Sequence, residues 1–247
     1  MKRSIHWALL FAMSPVMAQA HGPMHIVALH PGGAVTSGNW SGYAVTGLAG
    51  SVTAVSGSWV VPEAECDDAR HRNTGASFWV GIDGYKSPTV EQTGTDSDCT
   101  KGRGRYYAWY EFFPRRGITI KSMPVNAGDT MSASVTYDGS KFTATIADVT
   151  QNTRFSVSRA VSKARRNSAE WIAEDNSRVF TEFRDVQFGQ DATSVANTCT
   201  ATVDGTTGAI GDFATDHAID MVEKNGRLLA LPSPLSADNT SFEVQRP

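Results

Sequence analysis

From Asn39 onward the chain repeats one pattern: short segments in which apolar and polar residues alternate, broken by turn-forming residues at intervals of roughly 8–12 positions. Alternation with a period of two places one set of side chains on each face of a strand. It predicts strands over residues 41–46, 52–61, 76–82, 105–113, 130–137, 141–148, 153–158, 169–174, 185–188, 194–203, 218–222 and 241–244. Asp83-Gly84, Asp138-Gly139, Asp204-Gly205 and Asn225-Gly226 fall between such segments. These pairs suit tight turns, because glycine and asparagine accept a positive φ at low cost. Asp138-Gly139 is the clearest hairpin. No stretch holds a helical period of apolar residues, and no repeat or linker interrupts the series. The expectation is one all-β domain over residues 39–247, with two antiparallel sheets packed as a jelly-roll β-sandwich.

The N-terminal part reads differently. Lys2 and Arg3 precede an apolar run from Ile5 to Met17, and Ala18-Gln19-Ala20 has the small-x-small form of a cleavage site. The run is shorter than the roughly 20 residues a membrane-spanning helix needs. Residues 1–20 are therefore expected to be a cleaved signal peptide, leaving a secreted or periplasmic protein with no membrane segment. Residues 21–38 are rich in Gly, Pro and His without periodicity and read as a flexible lead-in. Its His21, His25 and His30 read as solvated rather than as a metal site.

Charge and cysteines add two constraints. Removing Lys2 and Arg3 takes the formal charge from −3 to −5, a mildly acidic balance that gives no sign of a nucleic-acid partner. The three cysteines, Cys66, Cys99 and Cys199, allow one disulfide in an exported chain. Cys66 and Cys99 lie in loop-like sequence flanking one compact segment and are expected to pair. Cys199 sits in strand-like sequence and reads as an inert buried thiol.

The chemistry is defined partly by what is missing. There is no Gly-x-Ser-x-Gly elbow, no His-Glu-x-x-His, no phosphate loop and no cysteine with a histidine signature. What remains is carboxylates and amides among aromatics, in Phe78–Gly84 with Val90–Asp96, in Tyr106–Pro114 and in Ser168–Asp175. Alternation puts Trp109, Glu111 and Phe113 on one strand face, and Glu170, Ile172 and Glu174 on another. A face with two carboxylates is either solvated or lines a groove. The residues alone leave three readings open: a wet sheet face, a sugar- or peptide-binding sandwich with aromatic stacking surface, or a glycosidase pairing Glu111 with Glu170 or Glu174.

Four strings change that balance: Trp79-Val-Gly-Ile-Asp-Gly84, Gln92-Thr-Gly94, Ala108-Trp-Tyr-Glu111 with Pro114, and Ala169-Glu-Trp-Ile-Ala-Glu-Asp175. In that order and spacing the sequence resembles the glutamic peptidase (eqolisin) family, from about Asn39 to Phe188. The resemblance implies a sandwich whose groove carries a catalytic Gln92 and Glu174. It also implies substrate-binding positions at Trp40, Trp79, Asp96, Trp109, Glu111 and Glu170. It further implies an acid endopeptidase acting on protein or peptide substrates, as a monomer and with no metal or cofactor. Two positions depart from the fungal members: Tyr107 where an acidic residue is common, and Phe113 where a tyrosine precedes the proline. Both bear on substrate preference.

Overall fold

A computed structural model of the protein describes residues 21–29, 35–66, 73–177 and 179–247. The expected signal peptide lies outside these residues, as do His30 and His71. The first strands are β1 (Ile26–Leu29), β2 (Val35–Ser37), β3 (Trp40–Thr46), β4 (Val52–Val60), β5 (Ser77–Ile82) and β6 (Val90–Thr100). There follow β7 (Arg103–Phe113), β8 (Ile118–Pro124), β9 (Thr130–Tyr137), β10 (Phe142–Asp148), β11 (Thr153–Arg159) and β12 (Ser168–Glu174). The C-terminal part supplies β13 (Asp185–Phe188), β14 (Thr200–Val203), β15 (Thr206–Ala209), β16 (Asp216–Val222), β17 (Leu228–Pro232) and β18 (Phe242–Gln245). Helix is confined, among the described residues, to one turn at Gln190–Thr193 and a 3₁₀ turn at Ile210–Asp212.

One layer runs β2–β16–β3–β12–β5–β6–β7–β8, with β1 outside β2. The other runs β11–β10–β9–β4, and β14 and β13 share the far edge of β4. Strand β17 pairs with β16 in the first layer and with β18 in the second, so the hydrogen bonding is continuous between them. Among the described residues the named strands pair antiparallel except for β2 with β16, and an isolated bridge between Gly75 and Phe180 is also parallel.

The two layers enclose the main core, which includes Val55, Trp59, Phe78, Val80, Met131, Phe142, Trp171 and Phe188. Strand β10 shows why: its residues alternate buried and half-buried, so one face enters the core and the other meets water. Two indoles tie the layers with hydrogen bonds. Trp171 on β12 donates to the Ser56 carbonyl (2.7 Å), and Trp59 on β4 donates to the Thr95 hydroxyl of β6 (2.9 Å). At Gly57 the packing between the layers leaves no room for a side chain, since a Cβ there would stand 2.5 Å from Val80 and 2.9 Å from the Trp171 ring.

The all-β expectation holds, and Asp138-Gly139 is the β9–β10 turn, with Asp138 Oδ1 accepting from the Ser140 and Lys141 amides (2.8 Å each). Cys66 and Cys99 form a disulfide. Cys199 is free and buried, its thiol pushed up to about 12 by burial. Three expectations need correction. Residues 26–29 and 35–37 of the lead-in form β1 and β2, because β2 finds an open edge on β16. The run 194–203 yields strand only from Thr200; a left-handed turn at Asn197 and Cys199 delays it. Cys99, read as lying in loop-like sequence, belongs to the eleven-residue strand β6, where alternation predicted no strand.

Candidate active site

The outer face of the first layer carries the conspicuous residues, brought level by strand register. Across β12, β5, β6 and β7, Glu174 lies beside Ser77, Asp96 and Tyr107. The next row on that face is Ile172, Trp79, Gly94 and Trp109; the third is Glu170, Gly81, Gln92 and Glu111. Gly94 stands between two tryptophans, where a Cβ would run into the Phe78 carbonyl and the Trp79 Cβ. A second apolar cluster covers this face: Met24, Val35, Trp40, Ala44, Trp79, Tyr85, Val90, Trp109, Ile172 and Ile219. The Trp40 ring meets Trp79 edge-on, with centroids 4.9 Å apart.

Polar groups are buried among these rings, each with partners. Glu174 is 2% exposed; its Oε2 accepts from Trp79 Nε1 (3.0 Å) and its Oε1 from Asn39 Nδ2 (3.3 Å). Burial is the main cause that pushes its carboxyl up to about 8, opposed by a cationic His21 and assisted by Glu111. Gln92 Nε2 donates to Glu111 Oε2 (3.0 Å). Asp96 Oδ1 accepts from the Ser77 hydroxyl and from Trp109 Nε1 (2.6 Å each), and its Oδ2 accepts from Asn176 Nδ2 (3.0 Å). Tyr107 donates to Asp98 Oδ2 (2.8 Å). Burial and the neighbouring Asp96 push the Asp98 carboxyl up to about 8.

The groove is filled by the chain's own residues 21–24. His21 is fully buried, and its ring lies flat on Trp109, 3.7 Å between centroids and 4° from parallel. Its Nε2 stands 3.4 Å from Asp96 Oδ1 and its Nδ1 3.6 Å from Glu111 Oε2. Burial alone would pull the imidazole down; Asp96 and Glu111 outweigh it and raise the ring to about 10. The His21 amide donates to Glu111 Oε2 (3.1 Å), and the His21 carbonyl accepts from Gln92 Nε2 (2.8 Å). Beyond it, the Pro23 carbonyl accepts from Asn39 Nδ2 (3.3 Å) and the Met24 amide donates to the Gly84 carbonyl (3.1 Å). The lead-in thus meets the face through both its backbone and the His21 ring.

The model of the Peptidase A4 family matches residues 38–239. The chain belongs to the peptidase A4 family. It is 30% identical over 189 residues to aspergillopepsin-2 of Aspergillus niger, a match spanning 66% of each chain. To scytalidopepsin B of Scytalidium lignicola it is 29% identical over 188 residues, 72% of this chain and 69% of the other. Scytalido-glutamic peptidase bound to a transition state analog inhibitor superposes with a TM-score of 0.70 at 25% identity, over 85% of this chain and 98% of that one. Aspergilloglutamic peptidase from Aspergillus niger gives 0.59 at 28% identity, over 70% and 99%. A further member of the eqolisin family, SCP-B in complex with the tripeptide Ala-Ile-His, gives 0.65 at 25% identity, over 85% and 98%.

Within the A4 frame, the residues singled out in the sequence divide into two groups. Gln92, Glu174, Trp40, Trp79, Asp96, Trp109 and Glu111 gather around the filled groove. Glu170 does not join their hydrogen bonds. Although level with Gln92, it is buried in the field of Asp83 and Glu91. Glu111 accepts from Gln92 and lies close enough to Glu174 to raise its carboxyl, so the glutamine stands inside the carboxylate cluster rather than elsewhere. Three participants were not singled out for such roles. Asn39 and Asn176 are short amides whose partners lie 135 and 80 residues away. His21, in the segment read as solvated, is the groove's occupant.

Proposed function

We propose that this chain is an exported acid endopeptidase in which Glu174 and Gln92 hydrolyse peptide bonds. One observation carries the reading: the Gln92 side-chain amide already donates to a peptide carbonyl, that of His21, in a groove that also holds Glu174. Amide hydrolysis needs a base for water and a donor for the oxyanion that forms on the carbonyl. Gln92 Nε2 meets the carbonyl oxygen where that charge develops. Its second contact, with Glu111 Oε2, keeps the NH₂ end rather than the oxygen end turned toward the substrate. Glu174, steered by Trp79 and Asn39, takes the proton of the attacking water and returns it to the leaving nitrogen.

The protonation state of Glu174 follows from who fills the groove. With the lead-in in place, burial keeps the carboxyl protonated below a pH of about 8. A base must be ionised, so catalysis needs water in the groove, which removes the main cause of the shift. An unburied glutamate, with a pKa of about 4.3, is ionised in mild acid while proton return to nitrogen is still easy. The reading is tested by digestion of an unfolded protein substrate near pH 4. Turnover should resist inhibitors of serine, cysteine and paired-aspartate peptidases as well as chelators, and Glu174→Gln should remove it. Full activity in Glu174→Gln would overturn the assignment.

A further inference from the structure

Gln92 and Glu174 act on the peptide bond itself, which every residue shares, so the choice of residue before the cut must come from another part of the groove. The carbonyl that receives the Gln92 amide is, by that assignment, the carbonyl under attack. The residue that carries it therefore sits on the acyl side of the scissile bond, and here that residue is His21. Its side chain thus marks the pocket for that position.

We propose that the pocket between Trp109, Asp96 and Glu111 is the primary specificity pocket, and that it selects a protonated histidine on the acyl side of the cut. This rests on the assignment of Gln92 above and deepens it. The indole face of Trp109 supplies a flat floor for a planar cation. Asp96 and Glu111 stand at opposite nitrogens of the ring, so that both N–H groups of an imidazolium face a carboxylate. All three residues are fully buried, and each unpaired carboxylate there would be costly to desolvate. A phenylalanine or leucine would fill the volume but leave both carboxylates without a cation. Lysine carries the charge without the plane. Arginine has both but is longer, and should rank second. A pocket built around buried polar partners rejects apolar analogues far more strongly than an apolar pocket rejects polar ones. A free histidine, with a pKa of about 6.5, enters already protonated under acid conditions.

The test uses the full chain carrying His21→Gly, which empties the pocket, and a series of peptides that differ only at one residue: His, Arg, Lys, Phe, Leu or Gln. Each is incubated near pH 4, with cut bonds assigned by mass spectrometry. The histidine peptide should be cut after its histidine with a kcat/KM at least about tenfold above phenylalanine and leucine, a margin expected of a site built on buried polar contacts. In Asp96→Asn the His-to-Phe ratio should fall about fivefold or more; the ratio is read within one variant, so a general loss of activity does not imitate it. Phenylalanine or leucine cut as fast as histidine would overturn the proposal while leaving the peptidase reading intact. If no peptide is cut, the peptidase reading fails, and the pocket is judged by calorimetry with Ala-Ala-His and Ala-Ala-Phe. Binding of the histidine tripeptide at least tenfold tighter supports it, and equal binding sinks it.

Discussion

Two carboxyl-rich regions lie on the same four strands, and they are built on opposite rules. Around Glu174 the acids have donors: indole N–H groups from Trp79 and Trp109, amides from Asn39, Asn176 and Gln92, and the His21 ring between them. Four residues along β12, Glu170 and nearby Glu91 are equally buried, yet no oxygen of either has a hydrogen-bond partner of ordinary geometry. Burial pushes Glu91 up to about 9 and Glu170 well above its usual range, with neighbouring carboxyls adding to both. Asp83, at the same end, is also raised by burial, although it accepts from the Arg165, Arg166 and Asn167 amides. Donors and a cation mark the first region as a place for charge. The second is a place where acids stay neutral. Burial alone does not make a catalytic carboxylate; the partners that wait for its ionised form do.

The sharpest way to break this contrast is to exchange the two glutamates of β12. Glu174→Gln should cost about 10³-fold or more in turnover, within the range of a lost general base. Glu170→Gln should stay within about threefold of the parent, since it replaces an already neutral group with a neutral isostere. Rates near pH 4 on one peptide decide it, with circular dichroism as the check on folding. If the two effects are reversed, register rather than hydrogen bonding chose the base.

Next in size is Gln92→Ala, expected to lower kcat by about 10²–10³-fold as the principal oxyanion donor is lost. Gln92→Glu should be at least as damaging, since it sets a carboxylate against the developing oxyanion. A change confined to KM would reduce Gln92 to a binding role.

The occupied groove gives a third, smaller effect of opposite sign. His21→Gly should raise kcat/KM on added peptides about tenfold, because the competent open state is no longer shared with the chain's own segment. An unchanged rate would mean that the lead-in leaves the groove freely.

The neutral cluster yields the smallest and purely thermodynamic effect. Carboxyls whose folded pKa is raised stabilise the fold fully below their unfolded value, near 4.3, and lose that contribution as pH climbs toward the folded value. For Glu91 the window therefore runs from about pH 4 to about 9. Glu91→Gln should flatten the fall in Tm across that range by about 3 °C relative to the parent, the shift that roughly 1 kcal/mol gives in a domain of this size. Equal slopes in the two proteins would show that the cluster is hydrated in solution.

Much of the fold was legible because most strands obey a simple rule. β9, β10 and β12 put apolar residues on the core face, and glycine turns punctuate them, so alternation reports them directly. β6 breaks the rule. Val90-Glu-Gln-Thr-Gly-Thr-Asp-Ser-Asp-Cys-Thr100 is polar on both faces yet almost wholly buried, because one face lines the groove. A strand of that composition looks like a loop until its neighbours are known. β1 and β2 were hidden for another reason: they are short and depend on the edge of β16, not on any pattern of their own.

The sequence by itself determined the all-β class, the Asp138-Gly139 hairpin, the disulfide and the identity of the groove's aromatic and carboxylate residues. Those follow from local rules: alternation, turn preference, and motif spacing along single strands. Only the tertiary structure decided which carboxylates receive donors and which are left neutral. Glu170 and Glu174 share one strand face and one local pattern, and differ only in what β5, β6 and the lead-in bring against them. It also decided that His21 reaches Trp109 and Gln92, partners 88 and 71 residues away, across a groove that no local pattern in residues 21–38 announces. Interactions over such separations are fixed by packing and register, and these belong to the folded whole.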